Sequence, residues 1–191
     1  MKRNFLLIAL FSLFAAATVS AQKAASFSGH WELDTTQSKL GDRARIDAMT
    51  MDVAQTAKDI KIDTKTSRPP RPATPAAATS TANTPNPMGA GMGRGFGSGG
   101  DTNFTYSLDG KETTTELEGP TGPMPVKLTA KLDAGKLNLS SVRTFNGPNG
   151  EISLTTKETW SLSPDGKTLT VSRESTNPRG TNTMELVFVK K

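Results

Sequence analysis

The chain has 191 residues, of which 34% are hydrophobic and 21% charged, and it carries a formal net charge of +5 with one histidine and no cysteine. Without cysteine the chain has neither a disulfide nor a cysteine acceptor for a lipid anchor, so its stability must come from burial. Two of the positive charges are Lys2 and Arg3 and three more lie in 68–100, which leaves the rest of the chain neutral by count. A nucleic-acid binder carries a positive stripe with interleaved aromatic residues, so this distribution argues against that class.

The N-terminal segment 1–21 has the pattern of an export signal peptide. It contains two positive residues, an apolar run from Phe5 to Ala17 and a small-residue cleavage pattern at 19–21. A helix needs about 20 apolar residues to span a bilayer, so this run is too short, and no second run of this kind follows. We therefore predict an exported protein, periplasmic or extracellular, without a stable membrane anchor.

The first stretch with the pattern of a folded segment is FSGHWELD, at 27–34. Side chains alternate between the two faces of a strand, so an inward Trp31 places the neighbouring His30 on the outer face. A catalytic base or metal ligand needs partner groups, and His30 has no second histidine or cysteine to join it, so we expect it to be inert. The residues that follow, within Thr35 to Arg45, offer cap residues and a stopping glycine and predict a helical turn or two.

The centre of the chain, 68–101, is rich in Pro, Ala and Gly and has almost no apolar side chains to bury. Such a segment cannot offset the entropy lost on ordering, so it is predicted to be a disordered linker. The linker divides the folded part of the chain into 22–67 and 102–191. We expect these two parts to belong to one domain.

Both folded parts carry apolar residues at every second position, which is the period of a β-strand. The runs are separated by turn sequences at 57–59, 109–110, 133–135, 146–150, 165–166 and 177–180. Asp-Gly, which occurs in two of these turns, is a strong hairpin signal because both central positions of the favoured turn take a positive φ. We count about nine to ten strands, with sequence neighbours pairing antiparallel.

This pattern predicts an all-β fold, an antiparallel up-and-down β-barrel. Each strand has one apolar face, and an open sheet would leave two edges able to recruit other chains, so the strands need either closure or a second sheet. A barrel meets this need most simply, and a two-sheet sandwich is the alternative.

Three stretches, FSGHWELDTTQSK, YSLDGKE and KETWSLSPDGKTLTVSRE, carry a family resemblance. Together they resemble a group of small exported bacterial proteins with a lipocalin-like, calycin-type barrel, mostly of unknown function. Gly29 and Trp31 also resemble the G-x-W signature that opens the first strand of lipocalins. In that family the glycine lets the chain bend into the barrel floor, the tryptophan closes that end, and an arginine from a late strand lies across the indole. The resemblance implies these roles for Gly29, Trp31 and Arg173, with Arg143 as the fallback partner.

Glu158 is the most suggestive polar residue, because it shares a strand face with Trp160. An inward Glu beside an aromatic ring could be a perturbed acid or a polar anchor for a bound molecule. It could equally sit at the barrel mouth or pair with a Lys or Arg. The acids are otherwise scattered and no GxSxG serine occurs, so we predict no enzyme activity, no metal site and no cofactor.

We expect the barrel to bind a small apolar or amphipathic molecule, because barrels of about eight to ten strands are wide enough to hold one. The candidate lining residues are Met49, Met51, Phe104, Tyr106, Leu128, Leu154, Glu158, Trp160 and Phe188. The same residues could simply fill the core. In that case the Pro/Gly-rich insertion would engage an envelope or extracellular partner and the barrel would act as a scaffold. We expect a monomer that binds no nucleic acid.

Overall fold

The structure, a computed structural model, describes residues 25–41, 46–69, 101–119, 122–147 and 150–191. Its strands are β1 (Gly29–Leu33), β2 (Ala48–Gln55), β3 (Asp59–Ser67), β4 (Thr102–Ser107), β5 (Thr113–Gly119), β6 (Gly122–Asp133), β7 (Lys136–Gly147), β8 (Gly150–Leu162), β9 (Thr168–Asn177) and β10 (Gly180–Lys190). The predicted signal peptide and nearly all of the predicted linker lie outside the described residues. Within the described ranges, no helix is long and apolar enough to cross a membrane.

The ten strands form one antiparallel sheet that curls into a nearly closed barrel. Each strand pairs with its neighbour in sequence, except that β4 and β5 do not pair with each other. The last strand of the chain, β10, pairs with the first, β1, in a register that runs from Trp31↔Lys190 to Leu33↔Phe188. The predicted all-β, up-and-down barrel is thereby confirmed, and because one continuous sheet contains all ten strands, the sandwich is excluded.

The barrel is interrupted at one place, which we call the slot, between β4 and β5. One end of the slot is bridged, because Asp109, just after β4, forms an isolated β-bridge with Lys131 of β6. The N–H of Gly110 also donates a hydrogen bond to the carbonyl of Ala130 at 3.1 Å. Beyond this bridge no ladder of hydrogen bonds joins β4 to β5.

The barrel interior changes from apolar to polar along its length. The inward positions read Leu137, Leu139, Ser141 and Arg143 on β7, Trp160, Glu158 and Thr156 on β8, and Leu169, Val171, Arg173 and Ser175 on β9. Alternate residues of a strand share a face, and cross-strand pairing keeps these rows in register. The register therefore gathers the polar inward residues in one half of the interior.

The apolar end of the interior is sealed by Phe27, Trp31 and Trp160, each at most 1% exposed, and we call it the closed end. The rings of Phe27 and Trp160 meet edge to face, with their centroids 6.0 Å apart. The Nε1–H of Trp31 donates to the carbonyl of Phe27 at 2.9 Å, so the polar group of this buried indole is satisfied. Trp31 thus closes this end of the barrel.

The cation over the Trp31 ring is Lys190, whose Nζ lies 5.2 Å from the ring centroid. The family resemblance implied Arg173 in this place, but Arg173 lies inside the barrel and is bonded to Glu158. Lys190 reaches the indole because it is the register partner of Trp31 on β10. Gly29 leaves room for it: its φ of +146° suits glycine, and a Cβ there would lie 2.5 Å from Cε of Lys190.

The connection after β1 contains a turn built around Asp34, and the predicted helical turns are absent from its described part, 34–41. The Asp34 Oδ1 accepts hydrogen bonds from the backbone N–H groups of Thr36, at 2.9 Å, and Gln37, at 3.2 Å. The Ser38 hydroxyl donates to the carbonyl of Asp34 and accepts from the N–H of Val187 on β10. The residues that suggested a helix cap therefore serve an Asx-type turn that ties this connection to the barrel wall.

Replacing Asp34 by asparagine should lower stability at neutral pH and flatten its acid dependence. Hydrogen bonds, first from the Thr36 side chain and then from Gln37, lower the pKa of Asp34 from 3.8 to about 2. A carboxyl whose pKa is lowered by folding contributes stability that is complete above its unfolded pKa and is lost as the pH falls through its folded pKa. The urea midpoint should be measured from pH 7 to pH 2, a range that includes both pKa values of Asp34. At pH 7 the midpoint of D34N should be lower than that of the parent, and below pH 4 it should fall less.

The matched control is Asp133→Asn at the exposed turn between β6 and β7, which should follow the parent at every pH. Superimposable curves for D34N and the parent would contradict the structural role of this turn.

Candidate functional site

The barrel interior contains a cavity of about 90 Å³ in its polar half. The cavity lies between the wall formed by β2, β3 and β4 and the wall formed by β7, β8 and β9. Its apolar lining includes Met51, Ile62, Phe104, Leu139, Leu154 and Trp160. Its polar lining includes Tyr106, Ser141, Arg143, Thr156, Glu158 and Arg173. Charged and apolar side chains therefore face the same small space.

Glu158 and Arg173 form an ion pair inside the barrel. The Nε of Arg173 donates to Oε1 of Glu158 at 2.6 Å, and the two side chains are only 11% and 13% exposed. The other carboxylate oxygen, Oε2, accepts the Nε1–H of Trp160 at 2.7 Å. The strands explain this geometry, since Glu158 and Arg173 are register partners and Trp160 is two residues along the same face. Each oxygen of Glu158 thus has a donor.

Arg143 is the second cation in the cavity lining, and it lacks a carboxylate partner among the described residues. It is partly buried, and its guanidinium carbon lies 5.6 Å from the centroid of the Phe104 ring. Burial lowers the pKa of Arg143 from its ordinary value, with the charge of Arg173 acting in the same direction. An arginine stays protonated in proteins despite such a shift, so the cavity lining holds a positive charge that no described carboxylate compensates.

Tyr106 brings a hydroxyl to the same cavity from β4. The residue is only 6% exposed, and its hydroxyl forms no hydrogen bond with any other residue that the structure describes. Burial raises the pKa of Tyr106 well above its ordinary value, and the charge of Glu158 adds to the rise. The group is therefore a protonated phenol that can donate a hydrogen bond to a guest.

The predicted lining residues divide into two groups. Met51, Phe104, Tyr106, Leu154, Glu158 and Trp160 line the cavity. Met49, Leu128 and Phe188 are buried in the surrounding core and are not part of its lining. The alternation along each strand identified inward residues, but it could not separate those that face a void from those that are packed on every side.

Sequence reasoning missed Arg143 as a cavity residue and named it only as a fallback partner for Trp31. The sequence does carry an indication of this position. Arg143 continues the alternate row of Leu137, Leu139 and Ser141 on β7 and therefore points to the same face. An arginine in phase with an apolar row points into the core, and buried charges are uncommon without a partner. Arg173 carried the same signal on β9.

His30 lies on the outer face of β1, as the alternation predicts. Its Nδ1 lies 2.6 Å from Oδ1 of Asp52, its register partner on β2, and its side chain is 42% exposed. Within the described ranges, no group of three or more His, Asp or Glu side chains could hold a metal ion. The interior cavity is therefore the place where this fold gathers polar chemistry.

No protein-family model matches the chain, and no curated protein matches it significantly. Among solved structures, the chain is similar to the crystal structure of zebrafish ileal bile acid-binding protein complexed with cholic acid. The two share 15% sequence identity over 86% of this chain and 98% of that chain, with a TM-score of 0.46. What this protein binds therefore has to be argued from its own cavity.

Proposed function

We propose that this protein binds one small amphipathic molecule inside its barrel and catalyses no reaction on it. The observation that carries this proposal is the cavity with its mixed lining. Arg143 and Tyr106 line the cavity and have no hydrogen-bonding partner among the described residues, so their donors are available to a guest. A bound molecule with a polar group and a short apolar part would satisfy both halves of the lining.

The volume of the cavity limits the size of the guest. Pockets for drug-sized ligands measure about 300–1,000 Å³, whereas this cavity measures about 90 Å³. Each water molecule occupies about 30 Å³ in the liquid, so the space is close to that of a few waters. A guest of a few heavy atoms fits directly. A longer one would require the walls to part, which costs least at the slot because no ladder bonds cross it.

Binding is favoured over catalysis by the way the reactive groups are used. Both oxygens of Glu158 accept hydrogen bonds, from Arg173 and Trp160, so this carboxylate is held as a structural anion. His30 lies on the outer face, bonded to Asp52. A general base must reach the proton that it removes, and neither group is placed to act freely on a molecule in the cavity.

We place this binding outside the cytoplasm, in the periplasm or the extracellular medium. The support is the signal-peptide pattern at 1–21, which consists of a positive start, an apolar run and a small-residue cleavage pattern. N-terminal sequencing of the mature protein tests this, with Gln22 expected as the first residue.

The ligand itself should be found by native mass spectrometry of the protein purified from its own producing cells and medium. We expect a bound small molecule whose mass is lost on unfolding. The site can be checked by fluorescence, because the chain has two tryptophans and Trp160, but not Trp31, lines the cavity. In a Trp31→Phe variant the extracted molecule should shift the emission of Trp160. Either the absence of a bound mass or a bound molecule that leaves the Trp160 emission unchanged would overturn the proposal.

Deleting 68–100 separates this function from the scaffold alternative. Thr64 pairs with Thr102 across the two strands, and the N–H of Thr66 donates to Oδ1 of Asp101 at 2.8 Å. The two ends of the insertion are thus close together, and a short Gly-Ser turn can join them. A barrel that binds the ligand itself should keep it after the deletion, whereas a scaffold acting through the insertion should lose its partner.

A further inference from the structure

The charges that line the cavity do not balance. The charged side chains of its lining are Arg143, Arg173 and Glu158. The Glu158 carboxylate is bonded through one oxygen to Arg173 and through the other to Trp160, so it compensates Arg173 and has no oxygen left without a donor. One positive charge, on Arg143, remains without a carboxylate partner in the described part of the chain.

A second observation points to the same place. Tyr106 is more than nine-tenths buried, lines the cavity and forms no hydrogen bond with another described residue. Arg143 lies over the ring of Phe104, which shares a face of β4 with Tyr106. A guanidinium from β7 and a phenol from β4 therefore line the same cavity, and both are hydrogen-bond donors.

We infer that the guest is a small monoanion, specifically a short-chain monocarboxylate, whose oxygens are held by Arg143 and Tyr106. This inference rests on the proposed function. A carboxylate matches a guanidinium because its two oxygens can accept two parallel N–H bonds. The apolar lining residues Met51, Leu139 and Leu154 would take up the hydrocarbon part of the guest.

The Glu158–Arg173 pair sets the charge that the site accepts. One unpaired arginine compensates one negative charge, so a guest with a single charge leaves the interior neutral. A dianion such as a phosphate monoester would bring an excess negative charge beside Glu158, and an uncompensated charge is costly in a poorly hydrated interior. Glu158 is thus a specificity-determining residue that disfavours dianions.

The test is isothermal titration calorimetry with a set of ligands of similar shape and different charge. The probes are butanoate and hexanoate, with butanol as the neutral analogue, butylamine as the cation and butyl phosphate as the dianion. We expect butanoate to bind at least tenfold more tightly than butanol and butyl phosphate, and butylamine to show no binding. Charge-assisted hydrogen bonds are each worth about 1.5–3 kcal/mol, which corresponds to this factor or more.

Variants then assign the contacts. Arg143→Met should weaken carboxylate binding at least tenfold and leave butanol binding unchanged. Tyr106→Phe should also weaken carboxylate binding about tenfold or more, because its hydroxyl donates to a charged acceptor. Lys136→Met, an exposed position on the same strand, is the control for a general loss of positive charge and should bind like the parent. If R143M fails to fold, as judged by circular dichroism, Y106F still decides the matter.

The outcomes separate the two proposals. Equal binding of butanol and butanoate, or carboxylate affinity that survives both R143M and Y106F, would overturn the anion inference while the binding function stands. Tighter binding of butyl phosphate than of either carboxylate would overturn the assignment of a monoanion. Binding of none of these probes, combined with no co-purifying molecule in native mass spectrometry, would overturn both.

Discussion

Replacing Glu158 by alanine is expected to destabilise the barrel by about 3 kcal/mol, the lower end of the range for breaking a buried ion pair. The change leaves Arg173 inside the barrel at 11% side-chain exposure without its carboxylate, and it removes the acceptor of the Trp160 Nε1–H. The lower end of the range applies because the pair adjoins the cavity, where water can reach part of the exposed guanidinium. Equilibrium unfolding in urea, followed by circular dichroism, measures the effect.

The controls for this variant come from the same two strands. Glu174→Ala, an exposed neighbour of Arg173 on β9, should change stability by less than about 0.5 kcal/mol. The double variant E158L/R173M removes both charges and should recover most of the lost stability, because replacing a buried ion pair by apolar residues is often neutral. A loss of stability in the double variant as large as in E158A would show that the packing of Glu158, rather than its charge, is what matters.

Replacing Trp31 by alanine is expected to cost about 3–5 kcal/mol, the range for large-to-small changes of buried aromatic residues. Trp31 is fully buried, so its removal leaves a void at the closed end. The change also leaves the carbonyl of Phe27 without the Nε1–H that it accepts at 2.9 Å and takes away the ring under Lys190. Thermal and urea unfolding should both report the loss.

Trp31→Phe separates the ring from its hydrogen bond. Phenylalanine keeps an aromatic ring but lacks the N–H, so about 1–3 kcal/mol should be lost, as for a polar group left without its partner. The ordering W31A below W31F below the parent is the expected result. Equal stability of W31A and W31F would show that the aromatic ring contributes little to sealing this end.

The fold could be predicted from the sequence because its main determinant is local. The period of two along each strand and the Asp-Gly turns depend on neighbouring residues only, and the single continuous sheet follows from pairing them in order. The helical turns expected within Thr35 to Arg45 are absent from the described part, 34–41, because its residues are ambiguous. Asp34, Thr36 and Ser38 suit a helix cap and an Asx turn equally, and contacts with Val187, far along the chain, favour the turn.

The candidate site could be predicted only in part. Glu158 and Trp160 are two residues apart on β8, so the alternation places both on one inward face. The partner of Glu158 depends on the register between β8 and β9, which the sequence alone does not determine. The family resemblance suggested Arg173 over Trp31. In the structure Lys190 takes that position because it is the register partner of Trp31, and Arg173 lies opposite Glu158. The long-range register between strands therefore decides which cation covers the indole.

The pairing of β1 with β10 has a consequence for the order of folding. Short connections join β2 to β3 and each successive pair of strands from β5 to β10, so these hairpins can form as soon as their residues are available. The seam between Trp31 and Lys190, and the bond from the N–H of Lys191 to the carbonyl of His30, joins residues about as remote in sequence as the described chain allows. Such non-local contacts form late, because closing a long loop costs entropy before the new contacts can stabilise the chain. We therefore expect Lys190 to cover the ring of Trp31 only when this last seam forms, after the hairpins on either side of it.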